Sequence, residues 1–174
     1  LYFENFDRMV SPELPFGAEF LAHGRQRRPP PDPVNAVLGF CYALLTKDLV
    51  ATLAGVGLDP YLGVLHRSRY GRPALALDLA EEFRPLVADS VTLQCFNNGE
   101  LREKHLRRHR LGVTLTDEGR RAVLAAYERR MGDLITHPTF GYRISYRRVL
   151  DVQARVLAAA ILGELPNYVP IMTR

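Results

Sequence analysis

Residues 33–57 constrain the fold of this chain more than any other stretch. The segment PVNAVLGFCYALLTKDLVATLAGVG is apolar on nearly every side of a helix and ends at Gly55 and Gly57. Asp32 is a good N-cap and Pro33 a good first helical residue, so the start of the helix is well marked. A helix that is hydrophobic all round belongs in the interior of a domain. We therefore predict that this helix is the buried centre of the fold.

The remaining sequence also favours helices. A second long helix contains Pro85, which is expected to kink it or to leave a preceding carbonyl with another partner, because proline lacks an N–H group. RRHRLGVTL, residues 107–115, alternates weakly and is either a short strand pair or a loop. The fold class is therefore mainly α, with at most a short strand pair. The helix that contains Pro85 is predicted over residues 75–96. Two more helices are predicted, one from residue 116 onward and one over residues 146–162.

The length suits a single domain preceded by a short segment. The 174 residues, 47% of them hydrophobic, can bury a sizeable core. LYFENFDRMV starts on apolar residues without a cap, so residues 1–28 are predicted to be the tail of a truncated helix plus a linker. The linker contains RQRRPPPDP, in which the prolines favour an extended path. Residues 29–174 are predicted to form the helical domain.

The distribution of charge indicates a polyanionic partner, most plausibly nucleic acid. The chain carries 23 Lys and Arg residues against 19 Asp and Glu residues, a net charge of +4. The bases are clustered, which is typical of phosphate-binding surfaces. A soluble surface whose charges are mostly arginine would give the same composition. The clusters are Arg25, Arg27 and Arg28; Arg102, Lys104, Arg107, Arg108 and Arg110; and Arg143, Arg147 and Arg148.

The sequence predicts neither a membrane span nor an oxidising compartment. No uninterrupted run of eighteen apolar residues is present, and no basic segment followed by an apolar one resembles a signal peptide. Cys41 and Cys95 lie in apolar segments without a partner at metal-ligand spacing, so buried reduced thiols are expected. We expect a cytoplasmic protein without membrane contact.

HRSRYGRPALALDLAEEF, residues 66–83, contains a possible metal site. On a helical wheel Asp78, Glu81 and Glu82 fall on the side opposite the apolar face. Three neighbouring carboxylates repel one another, and a bound cation would relieve that cost. One imidazole, His66, together with carboxylates suits Mg²⁺ or Mn²⁺. The alternative is that the acids stabilise a helix start through its dipole and that the histidine is a surface residue.

Three sequence blocks resemble one known family. They are DPVNAVLGFCYALL, GLDPYLGVLHRSRYGRPALALDLAEEFRP and LTDEGRRAVLAAYERR. These blocks are similar to the CRISPR adaptation integrase, the universal metal-dependent DNA endonuclease of those systems. The resemblance extends from about Arg28 to the end of the chain. Tyr2 and Phe3 also match the last two positions of the family segment E-G-x-A-A-x-x-Y-[FW].

The resemblance implies roles for individual residues. His66 and Glu81 correspond to metal ligands, and Asp78 would support the site or bind metal in some states. The first ligand of the family, the glutamate of E-G-x-A-A, has no counterpart and is expected upstream of Leu1, so the site is short of one ligand. The resemblance also places Arg69 and Arg84 near the scissile phosphate, and Asn35 and Tyr42 beside the active centre.

Other readings of these residues remain open at this stage. Tyr42 suits a core aromatic residue, and Asn35 suits a brace for the RPPPDP turn. The run REKHLRRHR, residues 102–110, suits either a phosphate-binding surface or a solvated loop. The predicted DNA-binding residues are Arg28, Arg69, Arg84, Arg107 and Arg108.

The reaction implied by the resemblance is transesterification. A DNA 3′-hydroxyl attacks a phosphodiester at the CRISPR repeat and inserts a new spacer. The implied partners are double-stranded DNA with 3′ ends, CRISPR repeat DNA, a second copy of the chain and a small dimeric adaptation protein. An iron–sulfur cluster is expected only if a nuclease domain is fused upstream. The alternative is a non-catalytic helical DNA-binding or scaffold module.

Overall fold

A computed structural model describes residues 2–172 and shows a mainly helical fold, which confirms the predicted class. Two short 3-10 helices, Phe3–Met9 and Glu103–His105, accompany the α-helices. The α-helices are α1 (Pro15–His23), α2 (Pro33–Gly55), α3 (Ala74–Phe83), α4 (Ser90–Asn97), α5 (Asp117–Gly132) and α6 (Tyr146–Ile161).

The strands form two separate antiparallel pairs. The pair β1 (Leu106–His109) with β2 (Gly112–Leu115) lies where the sequence left a choice between strands and loop. The pair β3 (Leu134–Thr136) with β4 (Arg143–Ser145) was not predicted. Strands of three residues are too short to show a period of two in the sequence.

The chain divides into two compact units. The first unit contains Leu1–Ala43 and Ala88–Glu128, and the second contains Leu44–Val87 and Arg129–Arg174. The sequence-based division after residue 28 stays a prediction. Each unit is described separately below.

Helix α2 is buried along one stripe of its surface, whereas its all-round apolar sequence predicted burial on nearly every side. Its fully buried side chains recur at helical spacing and are Val34, Val37, Leu38, Cys41, Leu45, Leu49 and Leu53. By length and composition alone, α2 would also suit a membrane crossing, since its most apolar window has a mean hydropathy of 1.5. A core helix passes the same test, and the buried side chains of α2 favour that interpretation. Cys41 and Cys95 are free and buried, as expected.

The long helix predicted around Pro85 occurs as three pieces. Helix α3 ends at Phe83, a π-helical segment spans Arg84–Asp89, and α4 follows. The proline is the second residue of the π-helical segment, where its missing N–H group is accommodated by a wider turn. In the second unit, the Leu86 carbonyl accepts hydrogen bonds from Arg130 Nε at 2.9 Å and Nη2 at 2.7 Å. A side chain therefore satisfies a carbonyl of the irregular segment.

Replacing Arg130 with methionine tests this interaction. The substitution leaves the Leu86 carbonyl without its two donors and removes the cation that lies 4.4 Å from the ring centroid of Tyr146. We expect the free energy of unfolding to fall by about 1–3 kcal/mol, measured by urea denaturation. Arg121→Met, at an exposed position of the same helix, is the control and should change it by less than about 0.5 kcal/mol. Equal effects of the two substitutions would contradict this role for Arg130.

Candidate metal and phosphate site

One carboxylate, that of Asp78 in α3, organises the loop that precedes this helix. Its Oδ2 accepts hydrogen bonds from the backbone N–H groups of Val64 at 2.6 Å and Leu65 at 2.9 Å. Its Oδ1 accepts from the backbone N–H of His66 at 2.8 Å and lies 2.6 Å from His66 Nδ1. The Asp78 side chain is only 8% exposed. The loop is therefore wrapped around a single, largely buried carboxylate.

The hydrogen bond between Asp78 and the His66 ring determines the tautomer of the neutral imidazole. Burial raises the pKa of Asp78, but the hydrogen bonds from Leu65, His66 and Val64 outweigh burial and hold the pKa below its usual value. An ionised carboxylate can only accept, so the proton of a neutral His66 ring must be on Nδ1. Nε2 then carries a lone pair. This is the tautomer of a histidine that binds a metal while a carboxylate holds its other nitrogen.

The lone pair of His66 lies close to an oxygen of Glu81. His66 Nε2 is 3.9 Å from Glu81 Oε1. Asp78 and Glu81 are three residues apart on α3 and therefore share one side of the helix. The distance is less than twice the roughly 2.1 Å that separates a divalent ion from a nitrogen or oxygen ligand. The residues present thus fit a divalent metal ion through these two atoms.

A cation lies at the edge of this pair. Arg84, at the start of the π-helical segment, donates from Nη1 to Glu81 Oε1 at 2.5 Å. Its side chain is mostly buried, whereas Glu81 is about half exposed. A guanidinium held beside a candidate metal ligand is well placed to neutralise an anionic substrate. Arg69, the other predicted phosphate residue of this region, lies on an exposed turn of the preceding loop.

The structure distinguishes the three predicted metal ligands from one another. Asp78 directs both oxygens to nitrogen donors of the loop, so its geometry is that of a positioning residue. His66 and Glu81 are the two side chains that face each other. Across residues 2–172, no group of three His, Cys, Asp or Glu side chains is arranged to hold a metal. The described residues therefore supply two donors.

The predicted patch of three mutually repelling acids does not form, because Glu82 has partners of its own. Its Oε1 accepts a hydrogen bond from the Tyr168 hydroxyl, and its Oε2 accepts one from the Ile171 N–H at 2.8 Å. The buried side chain of Gln153 in turn donates to the Tyr168 oxygen at 2.9 Å. Burial raises the pKa of Glu82 despite these hydrogen bonds. The wheel places Glu82 beside the other acids, but a tertiary partner 86 residues away is not visible in the local sequence.

Asn35, in the first unit, acts as a brace. Its Oδ1 accepts from Arg25 Nη1 at 2.8 Å and from the Gln26 N–H at 2.9 Å. Its Nδ2 donates to the Gly24 carbonyl at 2.8 Å and to Asp32 Oδ2 at 2.7 Å. The side chain is buried and its donors and acceptors are used within the protein. This geometry favours the bracing interpretation, although the predicted place of Asn35 beside the active centre stays untested.

Tyr42, also in the first unit, belongs to a polar cluster that the sequence did not reveal. Its hydroxyl donates to Oδ1 of the buried Asp89 at 2.7 Å, and the Tyr2 hydroxyl donates to Oδ2 at 2.8 Å. The guanidinium of Arg25 lies 5.2 Å from the Tyr42 ring centroid. Tyr42 is therefore more than a core aromatic residue. Its predicted place beside the active centre stays a prediction.

All three predicted DNA-binding arginines of the first unit are exposed. Arg28 and Arg107 form no ion pair within the described part of the chain. Arg108 differs, since it donates to Glu19 at 2.8 and 2.9 Å and to Glu103 at 2.6 Å. Two carboxylates contact its guanidinium, and its predicted phosphate-binding role stays a prediction. These contacts tie β1 to α1, and a charge run in the sequence cannot reveal such partners.

Replacing Asp78 with asparagine tests its hold on the loop. The amide has one acceptor oxygen in place of two and presents an NH₂ group to backbone N–H donors. We expect the free energy of unfolding to fall by about 1–3 kcal/mol and the amides of residues 64–66 to lose protection in hydrogen exchange. Asp59→Asn in the same loop is the matched control, because the Asp59 side chain is exposed and accepts a single hydrogen bond, from the Tyr61 N–H. Unchanged protection in Asp78→Asn would contradict the assignment.

Comparisons with known proteins agree with the fold and the sequence motifs. The family model for CRISPR associated protein Cas1 matches residues 1–129. A Cas4 exonuclease/Cas1 endonuclease fusion from Geobacter sulfurreducens is 51% identical over 173 residues, covering 99% of this chain and 31% of that protein. The structure of a Cas1 protein from Thermotoga maritima matches with a TM-score of 0.82 and 30% identity, over 93% of this chain and 48% of the other.

A casposase bound to its integration product has the same fold, with a TM-score of 0.83 at 23% identity, over 95% of this chain and 45% of the other. This chain thus spans less than half of the length of each of these three proteins. The family model nevertheless covers well over half of the chain. The chain belongs to the Cas1 family of CRISPR-associated proteins.

Proposed function

We propose that the chain carries the metal- and phosphate-binding part of a Mg²⁺- or Mn²⁺-dependent DNA endonuclease and integrase that inserts spacers into a CRISPR array. The observation that carries the proposal is the 3.9 Å separation of His66 Nε2 and Glu81 Oε1, with His66 Nδ1 anchored on Asp78. The Geobacter relative, whose name includes an endonuclease Cas1, supports the activity. The casposase of the same fold, bound to an integration product, is consistent with strand transfer.

The proposed reaction exchanges one phosphodiester for another. The 3′-hydroxyl oxygen of a captured DNA fragment attacks a phosphorus atom of the repeat. A new P–O bond forms as the attacking hydroxyl loses its proton, the bond to the 3′ oxygen of the repeat breaks, and that oxygen takes up a proton. A divalent ion bound by His66 and Glu81 would polarise the phosphoryl oxygen and lower the pKa of the attacking hydroxyl.

The residues of the chain prepare this site. Asp78 keeps the proton of the His66 ring on Nδ1, so the histidine acts as a neutral ligand rather than as a general base. Arg84 lies next to Glu81, where it can neutralise the charge that develops on the phosphoryl oxygens. Arg69 supplies a further cation on the loop. Positioning and charge stabilisation, rather than proton transfer, are then the main contributions of the protein.

The proposed partners follow from the family. They are double-stranded DNA with 3′ ends, CRISPR repeat DNA, a second copy of the chain and a small dimeric adaptation protein, in the cytoplasm. An iron–sulfur cluster would be present only in a form fused to an upstream nuclease. The Geobacter fusion with a Cas4 exonuclease supports the existence of that arrangement in a relative.

Substitution of the two proposed ligands tests the function. His66→Ala and Glu81→Gln, in the native full-length form, should each lower the rate of Mn²⁺-dependent strand transfer at least about 100-fold, because each removes one bond to the ion. Affinity for the same DNA in the presence of EDTA should change less than about twofold, since the substitutions leave the arginines in place. Fluorescently labelled oligonucleotides report both quantities.

Glu118→Gln is the matched control for Glu81→Gln. Glu118 lies exposed at the start of α5, and its side chain forms no hydrogen bond or ion pair among residues 2–172. This variant should join DNA ends at the wild-type rate. If His66→Ala also joins ends at the wild-type rate, the chain is instead a non-catalytic DNA-binding module.

A further inference from the structure

The turn that follows His66 presents an aromatic ring to solvent. The Arg72 N–H donates to the Arg69 carbonyl at 3.0 Å, and the two residues form an isolated antiparallel bridge. Gly71 has a φ of +69°, as the third residue of a type II turn requires. The second residue of the turn is Tyr70, whose relative exposure of 109% is the largest among the exposed hydrophobic residues. The turn thus displays the whole ring.

Hydrogen bonds within the second unit hold the backbone on both sides of this turn. The preceding backbone is bound by Asp78, and the Leu75 N–H donates to the Pro60 carbonyl at 2.9 Å after the turn. At Gly63 the loop is packed so closely that a Cβ atom would lie 2.4 Å from the His66 carbonyl oxygen and 2.5 Å from the Ala74 Cβ. A ring on such an anchored turn loses little freedom on binding, which favours its use as a contact.

Three arginines flank Tyr70 in the sequence and have no acidic partners in the described part of the chain. Arg67 and Arg69 are exposed and Arg72 is half-buried. Within the described residues 2–172, none of the three forms an ion pair. Unpaired guanidinium groups suit phosphates, and an exposed ring suits the face of a nucleic-acid base. A partner protein with an apolar surface would not use three such charges.

We propose that Tyr70 stacks on an unpaired DNA base while Arg67, Arg69 and Arg72 contact the adjoining phosphates. The inference rests on the proposed function and deepens it by naming a subsite for single-stranded DNA. Tyr70 lies four positions after His66 in the chain, so their Cα atoms lie within about 14 Å of each other. The stacked base therefore belongs to a nucleotide close to the reacting phosphate. A base inside a duplex is covered on both faces, so the subsite selects a frayed or single-stranded end.

The test uses a probe whose fluorescence reports stacking. A DNA duplex carries a five-nucleotide 3′ overhang with 2-aminopurine at successive overhang positions, and it is titrated with the native full-length protein in EDTA. Wild-type protein should quench 2-aminopurine at one or two positions. Tyr70→Ala should abolish that quenching and weaken binding of the overhang about 5- to 100-fold. Binding of the blunt duplex should change less than about twofold.

Two variants separate stacking from other roles of the residue. Tyr70→Phe keeps the ring and should retain both quenching and affinity. Tyr61→Ala removes a half-exposed ring from the same loop and should behave like the wild type. Replacing the three arginines with alanine should reduce the slope of log affinity against log salt by about two, since each phosphate contact on a single strand contributes about 0.7.

Several outcomes would overturn the proposal. They are wild-type quenching in Tyr70→Ala, loss of quenching in Tyr70→Phe, and equal weakening of overhang and blunt duplex. If Tyr70→Ala changes self-association, as measured by light scattering, while quenching stays intact, the ring belongs to a protein contact instead. Because the titration contains no divalent ion, its result is independent of strand transfer. Failure of the His66 test with intact quenching would overturn the catalytic function alone.

Discussion

The candidate site depends on one largely buried carboxylate, that of Asp78. The Asp78 carboxylate accepts from three successive backbone N–H groups and from the ring of His66. These bonds order the loop and set the tautomer of the histidine, so that its other nitrogen faces Glu81. Without an acceptor at residue 78, three backbone donors would be left unsatisfied next to a helix, at a cost of about 1–3 kcal/mol for each one that stays buried. Loop order and site geometry therefore have the same cause.

Helix α3 is also held from its other side. Glu82 receives the Tyr168 hydroxyl and the Ile171 N–H, so residues of the second unit beyond α6 pack onto the turn that carries Glu81. After this turn the chain continues as the wider π-helical segment that contains Pro85. Arg84, the first residue of this segment, donates a hydrogen bond to Glu81. A proline that breaks the regular hydrogen bonds thus lies one residue after the arginine that we assign to phosphate. The two acids and the arginine of the site stand on one braced segment.

Much of the fold could be predicted because its signals are local. The apolar residues of α2, the caps and the glycines after helices are visible in a single sequence, and family motifs identified His66 and Glu81. The partners of Glu82, Arg108 and Tyr42 could not be predicted, because each depends on a residue more than forty positions away. A helical wheel shows which acids share a face but not which already have a donor. Asp78 and Glu81 are both acids on one face of the helix, so the sequence alone does not distinguish them. In the folded structure the loop of residues 64–66 binds Asp78, whereas Glu81 stays available to face His66 Nε2.

Pulsed electron paramagnetic resonance of Mn²⁺ bound to the native full-length protein tests the central claim most directly. If His66 Nε2 is a ligand, the spectrum should show the ¹⁴N modulation of a directly coordinated imidazole. His66→Ala should abolish this modulation even at Mn²⁺ concentrations that restore binding. Bound Mn²⁺ without ¹⁴N modulation, or modulation that survives His66→Ala, would contradict the account.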